Sequence, residues 1–143
     1  MTENEIATRV IEISLEIHRQ LGPGLFENVY ESILYLELME RGLDVKRQVT
    51  IPITWKSLTV EEAYRADLIV EGKVIVEIKS IERLAKVHGK QLLTYLRLSG
   101  KKLGLLLNFG QPLLKDGIER VINGNLEIQD NQDSIYRLTS IFV

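Results

Sequence analysis

Near the start of the chain, apolar residues recur at steps of three or four: Ile6, Val10, Ile13, Ile17 and Leu21. That spacing predicts a helix with one buried stripe. It should stop at Gly22-Pro23-Gly24, since glycine suits the position after a helix and proline cannot continue its hydrogen-bond ladder. A second helix is predicted over about residues 25–41, closed by Gly42. Its apolar residues, Phe26, Val29, Ile33, Leu34, Leu36, Leu38 and Met39, surround most of its circumference, so it is expected to be sandwiched between other elements. After Gly42 the period changes to two. Val45, Val49, Ile51 and Ile53 alternate with Lys46, Gln48, Pro52 and Thr54, predicting a strand with one buried face that Arg47 interrupts.

Residues 58–62 read as a weaker, edge-like strand. Residues 64–70 and 73–79 form a hairpin about Glu71-Gly72-Lys73. A helix over 84–99 is closed by Gly100, and the almost wholly apolar run 103–109 reads as a strand covered on both faces. Residues 113–122 read as a short helix and 134–143 as a last strand. This order predicts an α/β (α+β) fold, with helices packed against one central mixed sheet.

Length and composition narrow the function. At 143 residues, 45% hydrophobic and 27% charged, the chain is expected to be a single domain over 1–143, with a core of about 6–122 and a tail over 123–143. Cysteine is absent, which excludes a disulfide scaffold, a thiolate metal site and a cysteine nucleophile. Two histidines, His18 and His88, are too few for a histidine-rich metal centre, so any metal must sit mainly on carboxylates. His18, opposite much of the apolar stripe of its helix, reads as a surface residue. No run approaches the ~20 apolar residues of a membrane span, and the start lacks the pattern of a signal peptide; a cytoplasmic protein is expected.

The net charge of −2 is uninformative, but its distribution is uneven. Residues 1–42 hold eight acids and three bases, whereas residues 79–102 hold seven bases and one acid, a mild pointer to a polyanionic partner. Lys86, Lys90 and Arg97, however, project away from the polar stripe of their helix and read as its solvated face.

Candidate chemistry concentrates in the hairpin. With Gly72 at the centre of a three-residue turn, positions summing to 144 face each other, so Asp67 should lie opposite Glu77. Alternation puts Asp67, Glu77 and Lys79 on one face and Leu68, Val70, Val74, Val76 and Ile78 on the other, apolar one. Opposed carboxylates with Cβ atoms ~5 Å apart repel by on the order of 0.2–1 kcal/mol, and a divalent cation reverses that sign. Mg²⁺ commonly uses one or two carboxylates and keeps waters. Asp67, Glu77 and the backbone carbonyl of Ile78 are candidate ligands, with Lys79 in reach of a water or phosphate. The alternative is a solvated hairpin end where Lys79 neutralises two acids. On the next helix His88, Gln91 and Tyr95 share a stripe that can lean over the strand end.

An acid, a nine-residue gap, Glu-x-Lys and then Gln-x-x-x-Tyr resembles the PD-(D/E)XK nuclease superfamily, in particular its RecB-like branch. The residues are Asp67, Glu77-Ile78-Lys79 and Gln91-Leu92-Leu93-Thr94-Tyr95. Gly24-Leu25-Phe26-Glu27-Asn28-Val29-Tyr30 resembles the name motif of the prokaryotic GxxExxY family within it. The resemblance covers about residues 6–122, and its one departure is Ala66 where the superfamily pattern has proline. It implies a restriction-endonuclease-like core and Mg²⁺- or Mn²⁺-dependent hydrolysis of phosphodiesters in nucleic acid, with DNA the expected substrate. Asp67 and Glu77 would hold the metal, Lys79 would orient or deprotonate the water, and Gln91 and Tyr95 would line the pocket. Glu27 would supply a further acid and a candidate metal contact; the alternative is an acid capping the Gly22-Pro23-Gly24 turn. Tyr30 is expected to pack in the core. Other readings are a non-catalytic module that binds nucleic acid or protein on the same fold, and a homodimeric regulator.

Overall fold

The structure is a computed structural model and describes residues 1–124 together with the backbone of Ser140–Ile141. In chain order the elements are α1 (Glu3–Leu21), α2 (Glu27–Glu40), β1 (Val45–Trp55), β2 (Leu58–Val70), β3 (Val74–Lys79), α3 (Lys86–Ser99), β4 (Leu103–Asn108), a short 3-10 turn (Leu114–Gly117), β5 (Ile118–Ile122) and β6 (Ser140–Ile141). The strands form one mixed sheet in the order β1-β2-β3-β4-β5-β6; β3–β4 and β5–β6 are parallel and the other neighbours antiparallel. Helices α1 and α2 cover one face and α3 the other, an α+β layering that matches the restriction-endonuclease-like fold. Among the described residues no helix is long and apolar enough to cross a membrane.

The central strands are apolar because both faces are covered. Every residue of β4 is buried, and β3 is buried from Val74 to Ile78. Val74, Val76 and Ile78 enter the core under α1 and α2, while Ile75 packs under α3. At Gly104 a Cβ would stand 2.8 Å from the Leu92 side chain, so glycine there sets how closely α3 approaches the sheet.

Four expectations change. Helix α2 is not sandwiched: Tyr30, Leu34 and Leu38 are buried, but Phe26, Leu36 and Met39 face solvent, because no element lies outside it among the described residues. Residues 58–70 are one strand rather than two. Residues 113–122 are a 3-10 turn followed by a strand, since Ile118 and Val121 complete the two core layers and β5 pairs with the apolar β4. His18 is buried, not exposed. Helix α1 buries a second stripe (Asn4, Ala7, Ile11, Ser14, His18) at the same helical spacing, and the His18 Nε2–H donates to the Phe109 carbonyl at 3.1 Å. The last strand, expected over 134–143, is seen at Ser140–Ile141; its other residues lie outside the described ones.

The segment after β3 is anchored by Asn108, which is fully buried at the end of β4. Its Oδ1 accepts the N–H groups of Ile81 at 3.0 Å and Gly110 at 3.1 Å, and its amide donates to Gln111 Oε1 at 2.9 Å. Gly110 lets the two segments meet: a Cβ there would fall 2.2 Å from the Ile81 carbonyl oxygen. Asn108→Ala strands both N–H groups and is expected to cost about 2 kcal/mol of stability. Chemical denaturation checks this, and a loss under about 0.5 kcal/mol contradicts the anchoring role.

Candidate active site

The hairpin register follows the turn symmetry. Val70 pairs with Val74, Ile69 with Ile75 and Leu68 with Val76. The next pair does not form. At Asp67 the strands part, and side chains take the backbone groups that the ladder releases. Asp67 Oδ2 accepts the Ile78 N–H at 2.8 Å, and Glu77 Oε1 accepts the Asp67 N–H at 3.4 Å. The Asp67 carboxylate therefore turns into the gap between β2 and β3 instead of standing off the α3 face beside Glu77 and Lys79. Leu68, Val70, Val74, Val76 and Ile78 all lie in the opposite core layer, as alternation requires.

The parting is matched in β1. Register places Gln48 across from Asp67, and Gln48 has the positive φ of 50° that non-glycine residues rarely adopt. On both strands the buried face switches here. Val45, Leu68 and Val70 pack under α1 and α2, whereas Val49, Ile51, Tyr64 and Ala66 pack under α3. The single buried face expected of β1 is therefore two half-faces. The Arg47 interruption falls at the switch, where Arg47 Nε and Nη2 donate to Glu31 Oε2 at 3.1 and 2.9 Å.

The switch delivers Tyr64 to the site. Its hydroxyl donates to Glu77 Oε1, and its ring stacks on Tyr95. Strict alternation from Asp67 puts Tyr64 on the other face, which is why sequence reasoning missed it; the local signal of the kink is the Arg47 interruption in β1. Tyr64, Glu77, Lys79, His88, Gln91 and Tyr95 line a pocket of about 220 Å³. His88 is half-buried there, and its Nδ1 accepts the Ala85 N–H at 2.9 Å, closing the start of α3. Lys86, Lys90 and Arg97 are exposed. Roomier clefts exist along α1–α2 and beside Leu113–Lys115, of about 350 and 470 Å³, but neither contains any member of this set.

The model of the PD-(D/E)XK nuclease superfamily matches residues 4–121. The chain belongs to the PD-(D/E)XK nuclease superfamily. No curated protein matches it. Superfamily members are generally nucleases and typically use divalent metals.

Helix α2 brings two acids towards this superfamily site. Glu27, its first residue, is exposed, and Glu31, one turn on, is buried. Glu31 Oε1 accepts from Gln48 Nε2 at 2.7 Å, and the same amide lies 3.4 Å from Asp67 Oδ1, so Gln48 links the two carboxylates. Glu31 acts on Asp67 more strongly than Glu27 does. It carried no sequence signal, because its burial depends on Arg47 and Gln48 at the switch. Glu27 does not cap the Gly22-Pro23-Gly24 turn; the Tyr30 hydroxyl does, donating to the Gly22 carbonyl at 2.6 Å and accepting the Leu25 N–H at 3.2 Å. Tyr30 is fully buried against Phe109, as expected of a packing residue. Ser80 Oγ donates to the Leu25 carbonyl at 2.6 Å, docking this turn onto the end of β3.

Burial governs the electrostatics. Glu77, 8% exposed, is pushed up to about 8, first by burial and then by the Asp67 charge, against the lowering effects of the Tyr64 hydroxyl, the Asp67 N–H and Lys79. Asp67 is also raised by burial, and the Ile78 N–H opposes this. Tyr64 and Tyr95 are raised by burial and by Glu77. Two desolvated carboxylates, both raised by burial, make a hard-oxygen site short of positive charge, which fits a divalent cation. Among the described residues no three His, Asp or Glu side chains converge, so the fit is to two carboxylates with water completing the shell.

A raised carboxyl pKa means that the folded state keeps its proton after the unfolded chain has released it near 4.5. Metal-free stability should therefore fall as pH rises from about 4.5 to about 8 through this group. Thermal melts in chelator should show Glu77→Gln gaining on the native chain as pH rises across that window. An unchanged difference between the two melting temperatures contradicts the assignment.

Proposed function

We propose that this chain is a metal-dependent nuclease of the GxxExxY group that hydrolyses phosphodiester bonds of DNA with Mg²⁺ or Mn²⁺. The observation that supports the proposal is the parting of β2 and β3: the Asp67 carboxylate turns into the gap there, and Glu77, whose Oε1 reaches the Asp67 N–H, lines the adjoining pocket with Lys79, Gln91 and Tyr95. Asp67, Glu77 and the Ile78 carbonyl would hold the cation, with Glu27 at the rim as a further acid. Bound there, the ion would acidify a water and stabilise charge on the phosphorane-like transition state.

The chain's own groups supply the rest. Lys79 Nζ carries three N–H donors and no acceptor in its charged form, suited to holding the attacking water or a non-bridging phosphate oxygen. The Gln91 amide and the Tyr95 hydroxyl, from the same pocket lining as Lys79, would supply neutral donors. Tyr64 is a positioning residue: its hydroxyl holds Glu77, and its ring braces Tyr95. Gln48 positions Asp67 in the same way through Glu31.

The test is cleavage of labelled linear and circular DNA, with an RNA control, in Mg²⁺ and Mn²⁺. Native chain should cut only with metal, and Lys79→Ala should lose about 100-fold or more of the rate while still binding substrate. Equal cleavage by the variant contradicts the assignment. Retention of nucleic acid without cleavage by either protein favours a binding module on the nuclease fold.

A further inference from the structure

The carboxylate pocket holds one ring whose outer nitrogen is unengaged. His88 lines the pocket of about 220 Å³ with Gln91 and Tyr95, and it is half-buried there. Steps of three and four residues put these three side chains on one side of α3. The two carboxylates of the site already have other donors: the Tyr64 hydroxyl for Glu77, and the Ile78 N–H and Gln48 amide for Asp67. None of these donors is His88.

A backbone contact fixes what the His88 ring can do. Its Nδ1 accepts the Ala85 N–H at 2.9 Å. A ring nitrogen that accepts carries no proton, so the ring's proton sits on Nε2. Nδ1 faces the start of α3, which leaves the Nε2 side of the ring to the pocket. Nε2 has no hydrogen-bond partner among the described residues.

This tautomer excludes two roles and leaves one. A protonated Nε2 has no lone pair to offer, so it neither ligates a cation nor takes a proton from water. It can donate a hydrogen bond. The surrounding charge selects an anion as the acceptor: residues 83–99 hold four bases (Arg83, Lys86, Lys90, Arg97) and no acid, and Lys79 lines the same pocket. We propose that His88 is a further substrate-contacting residue, its Nε2–H donating to a non-bridging oxygen of the phosphate held in this pocket. This rests on the nuclease reading above and deepens it: phosphate is recognised by a neutral donor of fixed tautomer as well as by Lys79. A donor placed there gains strength as charge builds on the phosphate oxygens in the transition state.

The chain has two histidines, His18 and His88, so long-range proton–nitrogen NMR spectra of the full native chain and of His88→Gln assign the His88 ring. At about pH 8, above the ordinary imidazole range, His88 should show a bare Nδ1 and a protonated Nε2. Thymidine 5′-monophosphate added with Mg²⁺ should move Nε2 more than Nδ1. In cleavage assays His88→Ala should lose roughly 100-fold of the rate. His88→Glu separates this from a purely structural role. His88 is the third residue of α3, where a glutamate accepts the same backbone N–H but has nothing to donate. That variant should melt like the native chain and still cleave slowly. His88→Gln, able to accept and to donate, should keep more of the rate than either.

A proton on Nδ1, an Nε2 signal unmoved by the nucleotide, or native-like cleavage by His88→Glu overturns the proposal. Metal-dependent, Lys79-dependent cleavage combined with any of these leaves the nuclease reading standing and removes this one. Movement of Nε2 in a chain that cuts no nucleic acid with either metal does the reverse, supporting the phosphate contact and removing the nuclease reading.

Discussion

Asp67 sits where β2 and β3 part, and its carboxylate accepts the Ile78 N–H that continued antiparallel pairing would have engaged. That one substitution of a side chain for a ladder partner organises the surrounding chain. It opens room for the Glu77 side chain beside the Asp67 backbone. It coincides with the face switch at Gln48, which turns Tyr64 and Ala66 under α3 and sends the remainder of the ribbon out as an arm. It also fixes the carboxylate in position, because Gln48 and the Ile78 N–H grip its two oxygens from different strands.

Placing acids this way is costly without a cation. Burial raises both Asp67 and Glu77; the Asp67 charge adds to the difficulty at Glu77, and Glu31 and Glu27 add to it at Asp67. The partial remedies are visible: the Tyr64 hydroxyl and Lys79 favour the charged form of Glu77, while Arg47 and Gln48 take up Glu31. Arg47 is half-exposed, so its ion pair contributes modestly and serves chiefly to keep Glu31 oriented. None of these groups brings a second full positive charge to Asp67 and Glu77, and that residual deficit is what a divalent ion would relieve. Strain and like-charge repulsion held in place by a well-packed sheet are common at functional sites.

Much of this was legible in the residues. The hairpin is symmetric about Gly72, and five apolar residues alternate with Asp67, Glu77 and Lys79, so period-two reasoning recovered the register and the core face. The stripe of Gln91 and Tyr95 followed from helical geometry. What escaped depends on departures from period. Alternation assumes an unbroken pleat, and the switch at Gln48 and Asp67 breaks it, so Tyr64 was missed as a site residue and Val45, Val49, Ile51 and Ile53 were assigned to a common face. His18 and Glu31 escaped because a polar residue becomes a buried one only when a distant partner satisfies it: the Phe109 carbonyl in one case, Arg47 and Gln48 in the other. β5 was read as part of a helix because a five-residue segment, here Ile118, Glu119, Arg120, Val121 and Ile122, has no decisive period of its own; pairing with β4 settles it.

The central claim is that the parted strand ends form a cation site from Asp67 and Glu77. Anomalous diffraction from crystals of the full chain grown with millimolar Mn²⁺ tests it most directly. The account predicts a manganese peak bonded to oxygens of both carboxylates, with water completing its shell. A peak remote from that pair, or none between them at saturating Mn²⁺, contradicts it.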